Sequence, residues 1–211
     1  MREPGGQILQ RGEARARLLE AARDVIRTRG FAATTVDDLC RAAGVTKGAF
    51  FHHFESKEAL GVAAAAFWAE TTSAFFAAAP YHDHADPLDR VLGYIAFRRT
   101  IIDGDLAEFT CLVGTMAQEV YASHPAIRDA CAASIFAHAA TIEPDIAAAM
   151  AAHGMAGDWT AASLAIHSQA VLQGAFILAK ATGDAEVARD SVDHLARYVR
   201  LLFGRQEGTG A

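Results

Sequence analysis

The sequence predicts an all-α protein of about nine helices, and three observations carry that prediction. The chain is rich in alanine and holds only 5 prolines in 211 residues, a composition that favours helix. It lacks the alternating runs of β-branched residues that a sheet requires. Glycine and proline, at Gly30, Gly44, Pro80, Pro87, Gly104, Pro125, Gly154, Gly157 and Gly183, divide it into segments of helical length.

Residues 1–12, with Pro4, Gly5, Gly6 and Gly12, are expected to form a flexible tail. A helix follows from Glu13 to Arg29, with Leu18, Ala22, Val25 and Ile26 as its buried stripe. Gly30 ends it and Phe31 turns back to the core. Thr35 can cap a second helix, and Asp38 three residues on completes a capping box. Val36, Leu39, Cys40 and Ala43 give that helix one apolar face, and Gly44 stops it. Thr46 caps a third helix almost at once. That helix carries Val45, Ala49, Phe50 and Phe54 inward and leaves Thr46, Lys47, Gly48, Phe51 and His52 facing outward. Two short helices joined by a tight glycine turn form a helix-turn-helix, whose second helix enters the major groove of DNA; an ordinary helical hairpin fits the same spacing.

Ser56 caps a fourth helix running to about Ala79, with Leu60, Ala63, Ala64, Phe67, Thr71, Phe75 and Ala78 as its apolar stripe. It is expected to connect the two halves of the molecule and to transmit a tilt from one to the other. Residues 80–87, PYHDHADP, are expected to form a loop. His82, Asp83, His84 and Asp86 have metal-ligand chemistry there, but no partner cluster elsewhere, so no metal is expected. A fifth helix spans about Leu88 to Ile102, apolar nearly all round and interrupted by Arg98 and Arg99; one of the two is read as a buried cation awaiting an acidic ligand group, or as a snorkelling or salt-bridged arginine. Four more helices are expected over residues 106–121, 126–153, 159–181 and 185–203, before a polar tail from 205 to 211.

The stretch GFAATTVDDLCRAAGVTKGAFFHHFESKEAL, residues 30–60, resembles the DNA-binding domain of the TetR family of transcriptional regulators. A segment like GFxxTTVxDIAxxAGVSKGxLYxHFxSKExL marks that family. Gly30, Phe31, Thr35, Val36, Asp38, Gly44, Val45, Lys47, Gly48, His53, Phe54, Ser56, Lys57, Glu58 and Leu60 stand in register with it. The resemblance covers residues 14–62. It implies a helix-turn-helix domain over 13–57, a connecting helix over 58–79, and an effector-binding and dimerisation domain over 80–204. It also implies a double-stranded DNA operator, a homodimer formed through the two C-terminal helices, and an unknown small-molecule effector whose binding ends repression. The family has tyrosine where this chain has Phe51, so a phosphate-binding hydroxyl is missing. Within the resemblance, Thr46, Lys47 and His52 would read bases, Gly48 and Phe51 would lie against the groove, and Thr35, His53 and Lys57 would hold phosphates. A cation in the first turn of a helix opposes the helix dipole, and a phosphate contact would account for Lys57.

Charge supports one basic end. The net charge is −6, yet residues 1–57 hold 10 Lys/Arg against 7 Asp/Glu and the remainder 9 against 18. That acidic body speaks against an architectural DNA binder, which needs broad basic charge. A helical enzyme is the other alternative, but no nucleophile motif, phosphate loop or paired Glu-x-x-His unit stands out, and no cofactor is expected. No uninterrupted run of 18 apolar residues and no basic-then-apolar leader is visible, so no membrane partner and a cytoplasmic location are expected. Cys40, Cys111 and Cys131 are too few and scattered for a disulfide framework. In the body, Trp68, Phe75, Tyr94, Phe97, Arg98, Phe109, Met116, Phe136, Trp159, His167, Gln173 and Phe176 are the candidate walls of a mostly apolar pocket.

Overall fold

A computed structural model describes residues 11–155 and 157–205; residues 1–10 and 206–211, most of the two expected tails, lie outside that range. The described residues form ten α-helices and one 3-10 turn, with no strand among them. The helices are α1 (Arg11–Arg29), α2 (Val36–Ala43), α3 (Lys47–His53), α4 (Lys57–Ala77), α5 (Pro87–Thr100), α6 (Leu106–Phe109), α7 (Leu112–Val120), α8 (Pro125–Ala152), α9 (Ala161–Thr182) and α10 (Glu186–Leu202).

Local chemistry sets most of the boundaries. Thr35, Thr46, Ser56 and Thr160 each accept a backbone N–H at the start of α2, α3, α4 and α9. Gly44 takes the left-handed conformation (φ 64°) that makes the tight turn between α2 and α3. Two expectations need correction. The loop at 80–87 contains a 3-10 turn over Pro80–Asp83, pinned by buried Tyr81, whose hydroxyl donates to the Phe76 carbonyl. The single helix expected over 106–121 is two. Glu108 accepts the Asp105 N–H (2.8 Å) to fix the start of α6, Thr110 is extended, and the Cys111 thiol caps α7 by accepting the Gly114 N–H (3.4 Å).

Two apolar cores hold the helices together. One joins α4, α5, α8, α9 and α10 around Tyr94, Ile95, Ile146, Leu172 and Val199. The other contains Leu18, Ile26, Leu39, Phe50 and Leu60 of the first four helices and Phe31 of the turn after α1, together with Leu112, Met116, Val120, Ile127 and Cys131 of α7 and α8. Fully burying a side chain such as Phe50 or Leu39 is worth about 1.5–3 kcal/mol each. The 21-residue α4 contributes to both cores, and at 1.5 Å per residue it reaches about 30 Å.

By length and mean hydropathy alone, Lys57–Asp83 (1.2) and Ala161–Thr182 (1.3) match a bilayer span, although neither is an uninterrupted run of 18 apolar residues. Alanine raises the average across interspersed polar residues. In the fold α4 packs on α1 and α8, and α9 lies between α8 and α10.

Candidate nucleic-acid interface and body cavity

The helix-turn-helix is built from its caps outward. The Thr35 hydroxyl accepts the Asp38 N–H (3.1 Å) and donates to the Asp38 carboxylate (2.6 Å), which also receives the Thr35 N–H and Arg41. These bonds, those of Thr35 first, hold Asp38 below the usual carboxylate range. Thr46 Oγ1 accepts the Ala49 N–H (3.1 Å). Phe50 is fully buried beneath α3, so its neighbours point the other way: Thr46, Lys47, Gly48, Phe51 and His52 are all exposed, and Phe51 leaves 51% of its surface to solvent. His53, the last residue of α3, is half-buried with its ring against that of His52. Lys47 forms an ion pair with Asp37 (3.0 Å) between two exposed side chains, an interaction weak enough to exchange for a phosphate or a base.

Lys57 departs from expectation. Its ammonium turns inward and donates to the carbonyls of Phe31 and Thr34 (both 2.9 Å), with the Phe31 ring 4.4 Å away. Burial lowers its pKa from the ordinary lysine value. The carbonyls of the turn after α1 are a nearer set of acceptors for this cation than a phosphate outside the protein. Lys57 therefore ties α4 to that turn.

The turn is tied to the body as well. Glu119 of α7 accepts the Ala32 N–H (3.0 Å). Arg27 of α1 donates to the Glu108 carbonyl (2.9 Å) and lies over the Trp68 ring of α4 at 5.2 Å.

Trp68 also faces a narrow pocket in the body that opens to solvent, with a cavity volume of about 40 Å³. Its walls are Trp68, Thr72 and Phe76 from α4, Arg98 from α5, and Phe109, Cys111 and Val113 from the break between α6 and α7. Ser134, Ile135 and His138 from α8 and Gln169, Gln173 and Phe176 from α9 complete it. Of the residues expected here, Trp68, Arg98, Phe109, Gln173 and Phe176 are brought together. The others are elsewhere. Phe75 is half exposed against Phe97, and Phe136 is exposed. Met116 is buried in the other core, Trp159 packs on Phe203, and His167 stacks on Tyr198. Tyr94 stands just behind the wall. Its hydroxyl accepts from Arg98 Nε (3.1 Å) and Gln169 Nε2 (3.0 Å), which leaves its hydrogen for His138 Nε2 (3.1 Å). Burial, and then the charge of Arg98, push the His138 pKa down to about 3, so the imidazole is neutral.

Sequence reasoning missed Phe76, Thr72 and His138. The signal was available on α4 as the four-residue series Leu60, Ala64, Trp68, Thr72 and Phe76, whose last three members stand one position after Phe67, Thr71 and Phe75 of the expected stripe. Beyond Cys111, Gln173 and Phe176 a second recess holds Lys180, Glu119 and Thr115, with Lys180 donating to Thr115 Oγ1 (2.8 Å). The Thr110 hydroxyl, also on that recess, is buried without a partner. Among the described residues no group of three or more His, Cys, Asp or Glu is placed to hold a metal, and His82 of the 80–87 segment instead meets the Phe76 carbonyl (3.0 Å).

Five of the nine exposed large apolar residues among those described lie on the last two helices: Ile166, Ile177 and Leu178 of α9, and Tyr198 and Leu201 of α10. Beside Leu178, a Cβ added at Gly174 would meet nothing within 4 Å.

Comparison with known proteins agrees with this architecture. The regulator TtgR of Pseudomonas putida is 37% identical over 93 residues, 43% of this chain and 44% of that protein. The chain thus spans about half or less of the length of the first curated relatives it matches. A TetR regulator from Chloroflexus aurantiacus superposes with a TM-score of 0.78 at 27% identity, covering 90% of this chain and 95% of the other. The regulator CifR, solved with a 26-bp operator DNA, shares the fold with a TM-score of 0.73 at 20% identity, covering 92% and 98%. The family model for bacterial regulatory proteins of the tetR family matches residues 18–64, and that for the C-terminal domain of LmrA/YxaF-like transcriptional regulators matches residues 87–194. With a helix-turn-helix at one end, an all-helical body behind it and a family model matched to each, the chain belongs to the TetR family of transcriptional regulators.

Proposed function

We propose that the protein is a sequence-specific repressor that binds a palindromic operator as a homodimer and leaves it when a small, largely apolar effector fills the body cavity. One observation carries the coupling. Trp68 lines the cavity and at the same time lies under Arg27 of α1, so a ligand that displaces the indole also acts on the helix bracing the helix-turn-helix. An effector that fits the DNA-incompetent arrangement better shifts the balance by its differential affinity alone.

In this reading Thr46, Lys47 and His52 contact bases, and Gly48 lets the α3 backbone approach the groove. Phe51 packs on a sugar or a thymine methyl, and Thr35 and His53 meet phosphates. The solvated apolar residues of α9 and α10 form the dimer face, which buries them and sets two α3 helices about one DNA turn, roughly 34 Å, apart. CifR, a relative in fold, was solved on operator DNA, which supports an operator partner here. The protein would act in the cytoplasm, where chromosomal DNA is found.

The test is selection of sheared genomic DNA by the purified protein, then footprinting of the enriched fragments. Protection of both halves of an imperfect palindrome is expected. Retention without sequence preference, or no retention at low salt by a folded dimer, would refute the reading.

A further inference from the structure

The geometry points to an effector with an apolar body and a single carboxylate-like negative charge, received by Arg98. This rests on the reading of the body cavity as the effector site.

Arg98 is the one ionised side chain among the residues lining the cavity, and no Asp or Glu stands among them. Its hydrogen-bond and ring partners are neutral. Nε donates to the Tyr94 hydroxyl, Nη2 lies 3.5 Å from Gln169 Oε1, and the guanidinium sits 4.6 Å over the Phe76 ring and 5.6 Å from that of Tyr94. An arginine remains protonated in a protein. His138 stays neutral beside it and adds no second positive charge. The half-buried cation therefore has no carboxylate partner among the described residues, and an entering anion would be its first.

The setting is pre-arranged for such an anion. Tyr94 and Gln169 fix the guanidinium plane, and Gln169 itself is 4% exposed. A glutamate at 169 would neutralise Arg98 from within; the glutamine keeps the geometry and leaves the charge open. Carboxylates match the arginine fork in shape as well as sign. The rest of the wall, with Trp68, Phe76, Phe109 and Phe176, suits an aromatic or aliphatic body. The adjoining recess is different, because there Lys180 shares the space with Glu119 and the charges offset each other.

The test uses two probes of one shape, biphenyl-4-carboxylate and its neutral amide biphenyl-4-carboxamide. They are titrated calorimetrically into the full-length protein at pH 7, in the wild type and in the Arg98→Met and Gln169→Glu variants. Location is read in a Trp159→Phe background, where shielding of Trp68 from acrylamide reports occupation of the cavity. The carboxylate is expected to bind at least about tenfold more tightly than the amide in the wild type. In both variants that preference is expected to fall to within about twofold, with amide affinity retained. The isosteric Gln169→Glu change keeps the test valid if Arg98→Met fails to fold. Equal affinities in the wild type, or a preference that survives in the folded variants, would overturn the charge assignment and leave the cavity reading standing. If neither probe shields Trp68, the cavity takes no ligand, and the effector site and this inference fall together.

Discussion

Replacing Lys57 by methionine separates two roles for one side chain. Methionine keeps an unbranched apolar stem but removes the ammonium that bonds the Phe31 and Thr34 carbonyls at 2.9 Å. The Phe31 carbonyl keeps a second donor, the Thr34 N–H at 3.2 Å, so its loss is partly covered. A hydrogen bond to a charged group is worth about 1.5–3 kcal/mol, and the cation over the Phe31 ring adds about 0.5–1 kcal/mol. With Lys57 only half-buried, the expected loss is about 2–3 kcal/mol. For a chain of this size that corresponds to roughly 4–12 °C in melting temperature. The assay is urea and thermal unfolding at fixed protein concentration, because the proposed dimerisation would make apparent stability concentration-dependent. It is paired with the salt dependence of operator binding. A lysine committed to backbone carbonyls leaves the slope of log K against log salt unchanged. One committed to a phosphate lowers that slope by about 0.9 per protomer. A Lys57→Met variant of wild-type stability with a reduced salt slope would refute the clamp.

The remaining predictions concern the outward face of α3 and the cavity. A Cβ added at Gly48 meets only Thr46 Oγ1, at 3.8 Å, so Gly48→Ala should stabilise the free protein by about 0.5–1 kcal/mol while weakening operator binding; unfolding and fluorescence anisotropy measure the two effects, and unchanged binding would remove Gly48 from the interface. Phe51→Tyr, at a position already half exposed, should strengthen operator binding by up to about 1.5–3 kcal/mol at fixed salt with little change in melting temperature. His138 takes up a proton near 6.5 when unfolded but only near about 3 when folded. Between those values the unfolded chain binds more protons, so stability falls as pH drops, by up to about 1.4 kcal/mol per unit from this group. The ring resonances of His138 followed by NMR should stay those of neutral imidazole down to pH 5, and a midpoint near 6.5 would contradict its burial.

Most elements fixed by neighbouring residues were legible in the sequence, with the break at Thr110 the exception, and contacts fixed by distant residues were not. The caps Thr35, Thr46 and Ser56 act within three residues, and each helix begins where its cap dictates. The break at Thr110 has a local cause as well, in Asp105, Glu108 and the Cys111 thiol. It passed unnoticed because a cysteine rarely serves as a cap. The cavity was read only in part. Which side of an Ala-rich helix faces inward depends on what packs against it, and on α4 both Phe75 and Phe76 satisfy an apolar pattern. Lys57 shows the same limit, because its partners lie 23 and 26 residues earlier and meet it only once the chain is folded.

The core beneath the helix-turn-helix bears on how such a protein could be re-engineered. Leu112, Met116, Val120, Ile127 and Cys131 are packed in one cluster with Phe31, Leu39 and Phe50. A chimera that exchanges the N-terminal helices between relatives at the start of α4 would press one protein's apolar face against another's, with mismatched volumes on either side of the seam. The isolated segment would carry that face bare into water. In the proposed reading, changes of operator specificity are therefore best made on the exposed side of α3 at Lys47 and His52, which lie outside that cluster.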